Sequence, residues 1–553
     1  MHTVGKYWHT LRHLRPIQFY GRLWFRVARP RVDTRPAPPR RAVRAVGWVV
    51  PAAHPVTLLG PDRMRFLDEE YTLAEHGWDD PALGKLWRYN LHYFEDLVAH
   101  DARSRHAWHE ALLRRWVREN PPGTGTGWEP YPTSLRIVNW VKWALAGNTL
   151  PPECVESLAV QARWLARRLE IHLLGNHLFA NAKALVFAGA FFEGPEAESW
   201  LELGLGILAR EVREQLLADG GHFERTPMYH AIALEDMLDL CNVARAFPDA
   251  LPPRRHAAVD DWRSRIPGMC CWLAAMTHPD GDIGFFNDAA FGITPAPDAL
   301  FDYAARLGFT APGEPSAGAT VLQPSGYVRA QWSDAVALLD VAPIGPDYLP
   351  GHAHADTLAF ELSLFGQRLL VNSGTSRYGA DAERLRQRGT AAHNTVVVDD
   401  MDSSEVWGGF RVARRARPTG LSVQGTDPMV IECGHDGYRR LPGSPVHART
   451  WTAADGALTV HDRVTGGFRR AQARYHLHPL VAIEHPADDG DGTSVQLRLP
   501  HGQRVTLAVS RGRLAIEDAT WHPQFGHSIP TRCITVTLED GAARTTLTWK
   551  EPA

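Results

Sequence analysis

The hydrophobic period of this 553-residue chain changes once, near residue 315, and that change fixes the kind of molecule it can form. Before it, segments such as HAWHEALLRRWVREN, LRIVNWVKWALAG, VESLAVQARWLARRLEIHLL, SWLELGLGILAREVREQLLADG and AIALEDMLDLCNVARAF place apolar residues at steps of three and four, the repeat of amphipathic helices. PPGTGTG, GNTLPPE and FEGPEAE break them into hairpins. After it, AVALLDVAP, DTLAFELSLFGQRLLVNSG, SVQLRLP, QRVTLAVSRGRLAIEDA and RCITVTLEDGAARTTLTW alternate with period two and turn at Gly-containing pairs. A run of helical hairpins without strands predicts an α/α toroid, and the short strands predict an antiparallel β-sandwich. The expected fold is multidomain α+β: an N-terminal extension over 1–55, the toroid over 56–315 and the β-sandwich region over 316–553, with a possible division near 430. A chain this long exceeds one hydrophobic core.

A net charge of −3 gives no basic excess, which argues against a nucleic-acid partner. No apolar run reaches the length of a membrane span, and the amino terminus lacks the uninterrupted apolar stretch of a secretory signal. Its Trp, Tyr, Phe and Arg residues read as an amphipathic surface segment or, preferably, a helix packed on the main body. The six cysteines are scattered, without metal-site spacing.

Several residues carry chemistry. His352 and His354 in GHAHADTLAFEL lie two apart, so in an extended strand both imidazoles share a face, and His393 follows in RGTAAHNTVVVDD. In the helical half, Asn176 and His177 stand just after a glycine at an expected helix start, where free backbone N–H groups favour an anion. Thr226 reads as an N-cap, Pro227 as the first helical residue and Tyr229 as a first-turn residue whose phenolate the helix dipole would favour. Aromatic faces stack on pyranose rings while forked arginines hold acidic substituents, which singles out Trp87, Tyr89, Tyr93, Trp128, Tyr131 and Arg136. Most aromatics at helical spacing are core residues, so about one in three of these is expected at a ligand.

The segments GNHLFANAKAL, GGHFERTPMYH, GHAHADTLAFEL, NSGTSRYG, RGTAAHNTVVVDD and SEVWGGFRVARRARP, in this order across both halves, resemble the heparinase II/III and alginate-lyase-like polysaccharide lyases. The resemblance implies a site between toroid and sandwich, and cleavage beside a uronate by β-elimination to unsaturated products. By resemblance, Asn176 and His177 meet the carboxylate. Tyr229 is the acid, and also the base for one uronate epimer, with His352 or His177 as its partner. Arg225, Arg377 and Arg388 are candidate contacts for an acidic polysaccharide. Arg377, Arg388 and Arg411 have ion pairing with Asp356, Glu361 and Glu405 as the plainer alternative.

His354 and His393 match positions that bind a structural zinc with an aspartate in some members, but the third position here is Asn372. No cofactor is therefore required. Either the three side chains form a hydrogen-bonded cluster bracing His352, or they hold zinc. Members are often exported, which conflicts with the absence of a visible signal. LRPIQFYGRLWFRVARP resembles a subgroup associated with bacterial surface polysaccharides. The alternatives are an α/α-toroid glycoside hydrolase using Glu224, Asp236, Asp282 or Asp288, and a non-catalytic polysaccharide-binding or exopolysaccharide-assembly protein.

Overall fold

A computed structural model describes residues 2–42, 47–251, 255–484 and 493–550. Helices run from His2–Leu11 to Pro297–Arg306, interrupted by one small hairpin of Arg63–Phe66 and Glu69–Thr72. The expected helices are present, with one shortened: VESLAVQARWLARRLEIHLL is helical only over Pro152–Ala166, and its tail turns to deliver the next helix to the site. That next helix, Gly175–Phe191, is almost wholly buried and apolar but for Asn176, His177, Asn181 and Lys183 in its first half, as expected of an element at the centre of a helical layer. It packs against Pro195–Gln215 at backbone distance. A Cβ on Gly204 would stand 2.7 Å from the Ala182 carbonyl, and one on Gly189 2.7 Å from that of Ala197. Any larger side chain at these two positions would push the helices apart, a cost of about 1–3 kcal/mol each.

The β half contains three main sheets, all antiparallel within their ladders. Gly318–Leu322, Tyr327–Trp332, Ala335–Asp340, Phe360–Leu364 and Gln367–Leu370 form a five-stranded meander. An eight-stranded sheet and a four-stranded sheet pack with it around one apolar core that includes Phe360, Trp451, Tyr475 and Leu507. Strands Pro418–Gln424 and Met429–His435 are neighbours in the large sheet, so the possible division near 430 falls inside a hairpin. A separate apolar cluster, Trp272, Met276 and Phe286 against Tyr327, Val336 and Leu338, joins toroid to meander. The fold is thus an α/α toroid sealed onto antiparallel sheets, with a cavity of about 1140 Å³ between them.

Candidate active site

Three abrupt backbone turns aim the functional segments at this cavity. Leu174, Arg225 and Asn287 each have φ near +60°, at 63°, 58° and 57°. Such conformations cost non-glycine residues on the order of 1–3 kcal/mol and persist only where the surroundings hold them. After Leu174 comes the first turn of Gly175–Phe191, with Asn176 and His177 on the cavity wall. After Arg225 comes Thr226, whose hydroxyl accepts the Tyr229 N–H at 2.9 Å and caps Pro227–Ala246 as its sequence predicts. After Asn287 comes Asp288. The second and third turns interlock with the His354 loop: the Asn287 amide donates to the Arg225 carbonyl at 2.8 Å, and its Oδ1 accepts the His354 N–H at 3.0 Å.

Tyr229 from the helical half and His352 from the sheet half meet ring to ring, their centroids 4.0 Å apart and their planes inclined by 33°. The Tyr229 hydroxyl shares a 2.9 Å hydrogen bond with that of Tyr378. Burial, with Tyr378 and nearby carboxylates added, pushes the Tyr229 pKa well above the phenol range. The helix dipole therefore does not yield the expected phenolate; the group is a neutral donor. His352 Nδ1 lies 2.9 Å from Asp288 Oδ2. With that nitrogen donating to the carboxylate, Nε2 presents its lone pair.

Asp288 was a candidate hydrolytic acid, but its surroundings exclude that role. Fully buried, it takes both guanidinium arms of Arg384 and also His354 Nε2 at 2.8 Å. Burial favours its neutral form, yet Arg384 and the two histidines overcome this and hold its pKa well below the carboxylate range. Glu224 behaves oppositely. Only 2% exposed, it lies on the cavity wall with Oε2 unpartnered, and burial raises its pKa against the pull of His352 and His177. Burial would discharge His177 too, but Glu170 Oε1 at 3.2 Å outweighs it and keeps that pKa above the ordinary histidine value. The Tyr131 ring lies 4.5 Å from that of His177, tilted by 41°. Of the other two candidate acids, Asp236 lines the cavity paired with Lys183 at 2.6 Å, and Asp282 does not line it.

The His352–His354 segment is a loop rather than a strand, so the shared face of an extended pair is not what unites them. Asp288 is: each imidazole takes one of its oxygens. Tyr89, Tyr93, Tyr131 and Arg411 line the cavity. The remaining proposed sugar contacts are corrected by burial, by their partners or by position. Arg136 is fully buried, bonded to Gln161 and the His92 carbonyl and stacked 3.8 Å from the Trp116 ring. Trp128 and Trp87 are core residues. Arg388, also fully buried, donates to the carbonyls of Ala353, Gly408 and Gly409 and so fixes the His352 loop from behind. Arg225 donates to the Pro343 carbonyl, and Arg377 lies outside the cavity.

Asn372 is likewise not the third donor beside the histidine pair. Its amide bridges the Phe285 carbonyl and the Asn394 N–H, whereas Asp356 supplies a carboxylate that lies with His354 and His393, ligand atoms within 4.8 Å of one another. Sequence reasoning missed Tyr378, Glu170 and Arg384. Tyr378 sat inside a quoted segment, NSGTSRYG; Glu170 and Arg384 had no local signal.

Residues 87–295 match the family description "Heparinase II/III N-terminus" and residues 314–550 match "Heparinase II/III-like, C-terminal". The chain belongs to the heparinase II/III family. It is 25% identical over 389 residues to a heparin-sulfate lyase of Bacteroides stercoris, covering 61% of this chain and 55% of that protein. It is also 26% identical over 419 residues to the FtsZ-localized protein C of Caulobacter vibrioides, covering 70% and 68%. This heparinase II/III chain thus spans about half the length of the heparin-sulfate lyases it matches. Its fold aligns with the crystal structure of heparinase III at a TM-score of 0.66 and 19% identity, over 86% of this chain and 78% of the other.

Proposed function

We propose that this protein is a polysaccharide lyase that cuts beside a uronate by β-elimination. The observation that carries the reading is the 4.0 Å contact of the Tyr229 and His352 rings in the cavity that Asn176 and His177 also line. Elimination removes a proton alpha to a carboxylate, which is feasible only if the negative charge developing there is spread. Asn176, His177 and Glu224 are suited to donate to that carboxylate, the raised His177 pKa favouring its charged form and the raised Glu224 pKa its protonated form, each worth on the order of 3 kcal/mol in the transition state. His352 Nε2, its tautomer set by Asp288, takes the proton. The Tyr229 phenol protonates the departing glycosidic oxygen. Each transfer contributes roughly 10²–10⁴ in rate.

The wall tyrosines Tyr89, Tyr93 and Tyr131 suit sugar rings, and the resulting substrate class is an acidic polysaccharide. His354, Asp356 and His393 form a donor set that fits zinc, two imidazoles and one carboxylate. Held there, the ion would supply rigidity to the loop bearing His352 rather than chemistry. The test is a panel of uronate polymers read by the ultraviolet absorbance of the conjugated double bond that elimination leaves. Wild-type protein yields absorbing product on at least one polymer, and Tyr229→Phe binds that polymer without forming it. Cleavage that leaves no absorbing product, or full turnover by Tyr229→Phe, would falsify the reading.

A further inference from the structure

The first two helices, His2–Leu11 and Pro16–Val27, are packed inside out. In Pro16–Val27 the face against the body carries Gln18, which donates to the Tyr348 carbonyl at 3.1 Å, Gly21, which abuts His172, and Phe25, whose ring lies 4.5 Å from that of His172. The opposite face carries Phe19, Tyr20, Leu23, Trp24 and Val27, each 50–70% exposed. At 3.6 residues per turn these five fall within an arc of about 140°. Arg15, Arg22 and Arg26 follow along one edge of that arc. The first helix repeats the arrangement: Val4, Tyr7, Trp8 and Leu11, at i, i+3, i+4 and i+7, are 75%, 44%, 67% and 41% exposed. Water-facing helices of soluble domains put polar residues outward, and an apolar surface of this extent marks an interaction site.

The charge of the segment selects the partner. Residues 4–31 contain seven lysine and arginine residues and no aspartate or glutamate, although the whole chain carries −3. Exposed tryptophans beside arginines, on a helix too short and too polar to cross a bilayer, are the composition of a segment lying in the headgroup layer. We infer that these two helices dock the protein on an anionic lipid bilayer, Trp8, Leu23 and Trp24 entering the interface and the arginines meeting lipid phosphates. The docked face adjoins the cavity, since Tyr7, Leu11 and Leu14 line it and Trp407 Nε1 donates to Thr10 Oγ1 at 3.1 Å. The polymer would then be gripped close to the membrane surface.

The full chain is sedimented with vesicles of phosphatidylcholine, with and without phosphatidylglycerol. Binding is expected only with phosphatidylglycerol, falling at least tenfold in high salt and at least tenfold in a Trp8→Ser, Leu23→Ser, Trp24→Ser variant. A second variant, Arg26→Glu with Arg29→Glu, leaves the apolar face intact and should weaken binding several-fold at low salt, so a folding failure of the first does not leave the matter open. Absence of wild-type binding to anionic vesicles, equal binding to phosphatidylcholine alone, or full binding by both variants overturns the inference. So does a wild-type dimer that the serine variant dissociates without any vesicle binding, because the patch would then meet a second copy. None of these readouts depends on turnover.

Discussion

Two buried clusters are each built from four side chains of the same kinds, an aspartate, an arginine and two histidines, and only one of them is a site. Around Asp288 stand Arg384, gripping both carboxylate oxygens, and His354, which leans on His393 at 3.3 Å. Around Asp462 stand Arg449, also gripping both oxygens, and His447 at 2.8 Å, which leans on His435 at 3.2 Å. Both aspartates are held well below the carboxylate range against burial that favours their neutral forms. They differ in origin and access. Arg449 faces Asp462, and His435 faces His447, across adjacent strands, so that cluster follows from register and is sealed between sheets. The Asp288 cluster is assembled from separate loops and the helix Ala382–Arg388, and its aspartate also reaches the Thr375 hydroxyl and His352, whose ring opens on the cavity. An Arg–Asp–His–His network makes a rigid core; it serves chemistry only where one imidazole meets a space large enough for a substrate.

Replacing the imidazoles breaks this contrast most sharply. His352→Ala should lower product formation by roughly 10²–10⁴ with little change in melting temperature, whereas His447→Ala should lower the melting temperature and leave turnover per folded molecule near wild type. Equal losses of turnover in the two variants would mean that access to the cavity is not what separates the clusters. The aspartates come next. Asp462→Asn strands a buried guanidinium and should cost about 3–5 kcal/mol in denaturant unfolding. Asp288→Asn should show a comparable cost and, in addition, lose turnover because His352 loses its orienting acceptor.

Titration sharpens the comparison further. Stability from either aspartate is present above the ordinary aspartate range and is lost as pH falls through the depressed pKa, so both clusters weaken in acid. The alkaline side belongs to the cavity alone. His177, raised by Glu170, contributes fully below 6.5 and loses its contribution as pH climbs through the elevated value, while His435 and His447 are lowered and already neutral there. Substrate affinity should therefore fall as pH rises above 6.5, and His177→Gln should flatten that limb in a binding titration. The smallest expected effect is that of Tyr378→Phe. It removes one neutral hydrogen bond from Tyr229, worth about 0.5–1.5 kcal/mol, and should slow turnover by about two- to tenfold.

Much of this was legible along the chain because it is local. Thr226, Pro227 and Tyr229 are set by N-cap and first-turn chemistry, and Asn176 and His177 by a helix start, so their placement needed no tertiary knowledge. The helical and strand halves declared themselves by hydrophobic period. Arg136 and Trp128 misled because an arginine beside aromatics reads the same whether it stacks in a core or faces a sugar, and only burial separates the two. The outward apolar face of Pro16–Val27 was hidden for the same reason: amphipathicity says that a helix has two faces, not which one meets the body.

Sequence alone therefore determined the two architectures, their order, and which residues stand at helix starts, since those depend on spacings of a few residues. Tertiary structure decided the rest. Asp288, Arg384 and His352 lie up to 96 positions apart and acquire their roles only when loops from both halves close on one buried carboxylate. The charge state of each group there follows from the neighbours and the burial that closure brings, neither of which is encoded in any one segment.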